Sequence, residues 1–294
     1  MELRVLRYFL AIAQKESISK AADSLHITQP TLSRQLMDLE DELGKKLIIR
    51  SNKKIALTEE GAILRKRAEE ILNLVDKTES EIALSDRGIS GDVYIGAGET
   101  DTIKLIAKAS KAVQQEHPDV HYHIFSGDSE DVIEKLDNGI LDFGLLYTNV
   151  DASKYDYFTM PLKDTWGLIM RRDAPLAEKE YITPQDLKNV PIIYSRKVLR
   201  ESPIGKWMKK DFEKLNVVAT YNLLYNAAKM TEEGLGYTLS FDKLVNTSEN
   251  SPLCFRPLHP PVESELKIAW KKYSVLSKAA AAFLEKLKEI IQSV

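Results

Sequence analysis

Leu32, Leu36, Leu39 and Leu43 recur at spacings of four, three and four between Thr28 and Gly44, and this run constrains the chain more than any other. The spacing puts four leucines on one stripe of a helix. Thr28 suits its N-cap, and Pro30 is tolerated in a first turn whose amides have no intrahelical partner. Gly44 suits a left-handed end. With the leucines inward, Gln29, Thr31, Ser33, Arg34, Gln35 and Asp38 are left outward. Upstream, Leu6, Phe9, Leu10 and Ala13 mark a first helix. Ser19 reads as the N-cap of a short second helix over 20–25, where Ala21 and Ala22 allow close packing, and His26-Ile27 reads as a tight turn. Downstream, 46–50 and 54–57 are β-rich runs around Ser51-Asn52-Lys53, a hairpin wing. The pattern predicts an α-rich winged helix-turn-helix over 1–58, against the alternative of a plain helical hairpin with a polar face.

The net charge is −3, but it is unevenly spread. Residues 1–58 carry a net +3 and residues 59–294 a net −6. Lys45, Lys46, Arg50, Lys53 and Lys54 cluster with no acid among them. Gln and Arg offer bidentate pairing to base edges, whereas Thr and Ser suit phosphates and thymine methyls. The outward face of the third helix, with Thr28, Gln29, Pro30, Thr31, Ser33 and Arg34, and a wing carrying Arg50, Lys53 and Lys54, is therefore the candidate DNA surface. Lys53 at the wing tip is placed to enter a minor groove.

Residues 17–61 resemble the DNA-binding domain of LysR-type transcriptional regulators. Ser19-Lys20-Ala21-Ala22, the run from Leu25-His26-Ile27-Thr28-Gln29-Pro30 through Thr31-Leu32-Ser33-Arg34-Gln35, Leu39-Glu40, Leu43-Gly44, Leu47, Arg50 and Leu57-Thr58-Glu59-Glu60-Gly61 carry the match. Ile48 departs from it, standing where the family usually has Phe. The resemblance implies that Gln29, Pro30, Ser33 and Arg34 sit in the major groove, with Lys53 at the wing.

From Thr58 to about Leu84 there is no proline, and Leu64, Ala68, Ile71, Val75, Thr78 and Ile82 follow heptad spacing. A single long helix is predicted, within a linker and hinge region over 59–90. Such a stripe either lies on the body of the protein or pairs two copies. Two-fold reading of paired half-sites favours a homodimer or homotetramer through Leu64, Ala68, Ile71 and Val75.

Beyond a hinge at Asp86-Arg87-Gly88-Ile89-Ser90-Gly91, strand and helix patterns alternate over 93–95, 103–116, 120–125, 129–136 and 143–147. They restart over 166–170, 192–194, 204–215, 217–221, 227–233 and 237–239, with a late strand at 266–270 and a closing helix at 277–291. This predicts an α/β effector domain of two lobes, the first about 91–161 and 266–294 and the second about 162–265. Residues 91–294 resemble the LysR-type effector domain, which is periplasmic-binding-protein-like. The match runs through Gly91-Asp92-Val93-Tyr94-Ile95-Gly96, His117-Pro118-Asp119-Val120, Leu141-Asp142, Gly144, Asp173-Ala174-Pro175-Leu176-Ala177 and Gly234-Leu235-Gly236.

Open α/β sheets bind ligands at the carboxyl ends of their strands. Those ends carry Gly98, Glu99 and Thr100; Ser126, Gly127 and Asp128; Tyr147 and Thr148; Ser195 and Arg196; and Phe241. Thr102 and Ser129 read equally well as ordinary helix caps. If Glu99 and Asp128 point inward, a dicarboxylate is repelled and an amine-bearing or neutral effector fits better. A small polar metabolite, an organic acid or amino acid, is the expected effector.

Other chemistries fail on the residues. Cys254 is the only cysteine, so no intramolecular disulfide and no redox pair is available. His117, His121 and His123 lack further ligands for zinc. Gly96-Ala97-Gly98 lacks the third glycine of a dinucleotide loop, and no P-loop, Gly-x-Ser-x-Gly or His-Glu-x-x-His occurs. No cofactor, metal or enzymatic activity is expected. The charged start Met1-Glu2-Leu3-Arg4 does not read as a signal peptide, so a cytoplasmic setting is expected. Expected partners are double-stranded DNA with an interrupted dyad operator, an effector, a second copy of the chain and RNA polymerase, with no membrane. The competing functions are a solute-binding-like protein and a DNA-binding regulator whose sensor responds to a protein.

Overall fold

The computed structural model describes residues 1–50, 54–84, 88–147, 149–196 and 202–293. The chain divides into two compact units, Met1–Asp86 and Arg87–Val294.

In the first unit, helix α1 (Leu3–Lys15) buries Leu6, Phe9 and Ile12, so Ile12 joins the stripe while Leu10 and Ala13 are only half-buried. Helix α2 (Ile18–Ser24) starts earlier than expected, because Ser17 rather than Ser19 accepts the Lys20 amide. Helix α3 (Gln29–Leu43) is capped by Thr28, whose Oγ1 accepts from the Thr31 amide at 3.4 Å, and it ends at Gly44 with φ +64°. Leu32, Leu36 and Leu39 are buried as predicted, but Leu43 is exposed. The inward place in the last turn belongs to Glu40 instead. Its Oε1 accepts from the amides of Leu47 at 2.9 Å and Ile48 at 3.4 Å, and its Oε2 takes the Lys46 ammonium at 2.7 Å.

The wing is β1 (Ile48–Arg50) against β2 (Ile55–Leu57), antiparallel. It is shorter than the sequence runs because Lys46 and Leu47 bond elsewhere. The carbonyl of Lys46 accepts from Thr58 Oγ1, and that of Leu47 from the Thr58 amide. Helix α4 (Glu59–Leu84) follows, one turn in from Thr58 Oγ1, which accepts from the Gly61 amide. A side chain at Gly61 would lie 2.0 Å from the Leu47 carbonyl oxygen, so only glycine lets α4 leave the wing this closely.

The second unit holds β3 (Gly91–Ala97), α5 (Ile103–Glu116), β4 (Val120–Ser126), α6 (Ser129–Asp137), β5 (Phe143–Leu146) and β6 (Tyr155–Arg171). They are followed by β7 (Pro191–Ser195), α7 (Pro203–Met208), β8 (Asn216–Tyr221), α8 (Leu224–Glu232), β9 (Tyr237–Phe241), β10 (Leu253–Pro257), β11 (Glu263–Lys271) and α9 (Lys278–Gln292). The sheet order is β4-β3-β5-β11-β6-β9-β7-β8, with β10 paired to β6. Parallel pairing within β4-β3-β5 and within β8-β7-β9 gives two lobes, each with its own core. Strand β6 is the element that both lobes share: it pairs with β11 over its first part and with β9 and β10 over its second.

The sequence pattern places only the end of β6, from Trp166, and gives no sign of β10. The first part of β6, with Pro161, Lys163 and Asp164, lacks strand alternation. The expected helix over 204–215 is broken: α7 ends at Met208, Lys209 takes φ +54°, and a 3-10 segment, Lys209–Lys214, follows.

Candidate functional site

On the first unit, Thr28, Gln29, Pro30, Thr31 and Arg34 are exposed together at the start of α3, with Ser33 half-buried beside them. Thr28 and Thr31 hydroxyls bond to each other at 2.8 Å. The Arg34 guanidinium has no hydrogen bond or ion pair among the described residues, and neither has the Lys20 ammonium on α2. The basic cluster behaves otherwise. Lys54 pairs with Glu16 at 2.6 Å, Lys46 with Glu40 at 2.7 Å and Lys45 with Glu60 at 3.3 Å. The run without acids in sequence thus meets acids in the fold. Lys53 and the side chain of Arg50 lie outside the described residues.

On α4, Leu64, Ala68 and Leu72 pack against Leu6 and Leu10 of α1, and Ala68 is wholly buried. Leu64 and Ala68 are therefore taken by α1. Among the described residues, the large apolar side chains that α4 leaves exposed are Ile63, Ile71, Leu74 and Ile82.

On the second unit, the carboxyl ends of β3, β5 and β9 meet between the lobes. Thr100 and Asp164 are each only 4% exposed, and Thr100 Oγ1 donates to Asp164 Oδ2 at 2.6 Å. The Tyr147 hydroxyl donates to the same oxygen at 2.6 Å. Burial, with the Asp164 charge adding to it, drives the Tyr147 phenol far above its ordinary pKa. The Tyr147 ring stacks on Phe241 at 5.1 Å, and Phe241 tilts against Trp166 at 4.2 Å. Glu99 reaches across from the first lobe, and its Oε2 accepts from the Leu224 amide at the start of α8 at 2.7 Å. Burial pushes the Tyr221 phenol up to about 12, a hydrogen bond with Ser240 opposing and the Glu99 charge adding.

A model described as "LysR substrate binding domain" matches residues 86–292, and one described as "Bacterial regulatory helix-turn-helix protein, lysR family" matches residues 3–62. The chain belongs to the LysR family. It is a DNA-binding transcriptional regulator with a substrate-binding domain, and not an enzyme. It is 30% identical to the Hca operon transcriptional activator HcaR of Escherichia coli, over 100% of this chain and 99% of that one. It is 27% identical to the HTH-type transcriptional regulator BsdA of Bacillus subtilis, over 97% and 99%. The crystal structure of CbnR, a LysR family transcriptional regulator, superposes with a TM-score of 0.77 at 18% identity, over 99% of both chains. The winged helix-turn-helix, long helix and two-lobed α/β domain are the architecture the sequence predicts.

In this LysR-type regulator the cleft gathers Gly98, Glu99, Thr100, Gly127, Tyr147 and Phe241. A side chain at Gly98 would lie 3.6 Å from the Gly127 carbonyl oxygen and 3.9 Å from the Tyr147 ring. Asp128 turns to α6, whose Glu130 and Asp131 amides it caps. Ser126 is exposed at the end of β4, Ser195 ends β7, and the Arg196 amide donates to the Tyr221 carbonyl. Thr148 lies outside the described residues. Sequence reasoning misses Asp164, Trp166 and Tyr221 as cleft residues. Only Trp166, at the edge of an apolar run, left a signal that could have found it. His123 bonds Asp92 at 3.1 Å and stacks on Tyr94, and no group of His, Cys, Asp and Glu suited to a metal occurs among the described residues.

Proposed function

We propose that this regulator reads an interrupted dyad operator through the exposed start of α3 together with the wing, that two or four copies assemble through α4, and that a small polar metabolite between the lobes controls the outcome. RNA polymerase is the further partner, and the cytoplasm the setting, that such a role entails. The observation that carries the reading is Arg34, exposed on α3 with a guanidinium that the fold leaves without a partner among the described residues. A planar fork left open beside Gln29 fits base-edge recognition, whereas the paired Lys45, Lys46 and Lys54 fit positioning. CbnR, which has a TM-score of 0.76 to this chain, has been solved in complex with its target DNA, and this supports DNA as the partner.

Arg34→Ala is expected to weaken operator binding by about 1–3 kcal/mol and to relax base preference. Lys53→Ala is expected to weaken binding evenly across sequences and to reduce its salt dependence. Footprints unchanged in both variants would overturn the reading surface. For assembly, Ile71→Asp puts a charge among the exposed apolar residues of α4 without touching the α1 contact. Dimers are expected to dissociate in sedimentation, and an intact dimer would place the interface elsewhere.

A further inference from the structure

Two donor sets in the cleft that would suit an anion are already engaged by the chain's own carboxylates. Thr100 and Tyr147 give their hydroxyls to Asp164, and the Leu224 amide at the start of α8 is given to Glu99. An incoming carboxylate has to displace one of these and then sits against like charge. Asp164 itself is incomplete. It is 4% exposed, yet among the described residues no Lys, Arg or His pairs with it and its Oδ1 accepts no hydrogen bond. A carboxylate that deep is costly unless a cation meets it. Beside it lie Tyr147, Phe241 and Trp166 in one contiguous aromatic row. The faces of such rings carry negative potential and attract cations.

We propose that the effector is an organic amine bound as its ammonium ion, with an N–H donating to Asp164 Oδ1 and its apolar part against the Tyr147–Phe241–Trp166 row. The inference rests on the reading that the effector enters between the lobes. It also adds a third acid to the two that would repel dicarboxylates: Glu99 caps α8 and Asp128 caps α6, whereas Asp164 is buried and caps no helix.

The test is calorimetry on the full chain with benzylamine, benzyl alcohol and benzoate as probes of one shape and three charges. The wild type is expected to bind benzylamine at least about tenfold tighter than either of the others. Asp164→Asn is expected to erase that preference. Tyr147→Phe keeps the ring but removes a donor to Asp164, so benzylamine binding is expected to tighten, a result that unfolding cannot mimic. If benzoate binds the wild type more tightly and Asp164→Asn strengthens it further, the amine class fails while the cleft stands. If benzylamine binds but neither substitution changes it, the ligand lies elsewhere and the cleft reading itself fails. A wild type that binds none of the three probes also overturns the proposal.

Discussion

Glu40 in the first unit and Asp164 in the second are each 4% exposed, and the fold treats them in opposite ways. Both oxygens of Glu40 are engaged: two amides on one, a lysine ammonium on the other. Burial alone would raise its pKa, but the Lys46 bond and the Leu47 and Ile48 amides outweigh that and hold it below its ordinary value. Asp164 has two neutral hydroxyls, both on Oδ2, and no cation among the described residues. A buried acid with both oxygens answered fastens the α3 end to the wing. One whose second oxygen is left open is stable enough to fold around and free to answer something else. The contrast separates a carboxylate that serves architecture from one available for recognition.

The comparison breaks most easily at Glu40. Glu40→Ala strands two amides and is expected to destabilise the first unit by about 3 kcal/mol. All three tryptophans lie at 166, 207 and 270, so far-UV circular dichroism should report the loss while tryptophan fluorescence stays near the wild type. Because the folded pKa of Glu40 is depressed, its contribution is present above the unfolded carboxylate pKa and fades as pH falls through the folded value. Hydrogen exchange over 45–57 is expected to accelerate in that acid range, and Glu40→Gln should flatten the dependence. Gly61→Ala attacks the same junction sterically, and about 2 kcal/mol is expected in thermal melts. Asp164→Asn keeps an acceptor for both hydroxyls and is expected to cost only about 1 kcal/mol in a fluorescence-detected melt. A loss as large as that of Glu40→Ala would make Asp164 structural and erase the contrast. Thr28→Ala removes a long cap bond at 3.4 Å and should cost about 0.5 kcal/mol in the same dichroism melts, the smallest effect of the set.

Local rules carried the first unit well. Thr28 and Gly44 each act within three or four residues of themselves, so cap and stop are visible in one dimension. Ser17 and Ser19 are alike in that dimension, and only the backbone direction chooses Ser17. The α4 stripe is real, yet which part of it α1 covers depends on a contact from Leu6 to Ala68 that no periodicity encodes. The cleft was half legible: the strand-end rule found Gly98, Glu99, Thr100, Tyr147 and Phe241. Asp164 escaped because it sits in the polar Lys163-Asp164-Thr165 stretch, with partners 64 and 17 residues away along the chain.

Strand β6 has a mechanical consequence. Between Glu265 and Lys267 its register with β11 shifts, so that one residue of β11 faces Met160, Pro161 and Leu162 of β6. Pro161 has no N–H to give to the ladder there. On both sides of it the ribbon is zipped to β11, over 155–159 and again over 163–165, before β9 and β10 take over from Trp166. Twist along this ribbon therefore meets its least braced section at the unzipped step, as in a torsion bar with one thin section. The compliance of that section sets how much binding energy becomes angle. Pro161→Ala restores the N–H donor at that step and is expected to stiffen the bar, which hydrogen exchange over 155–171 would register as slower opening.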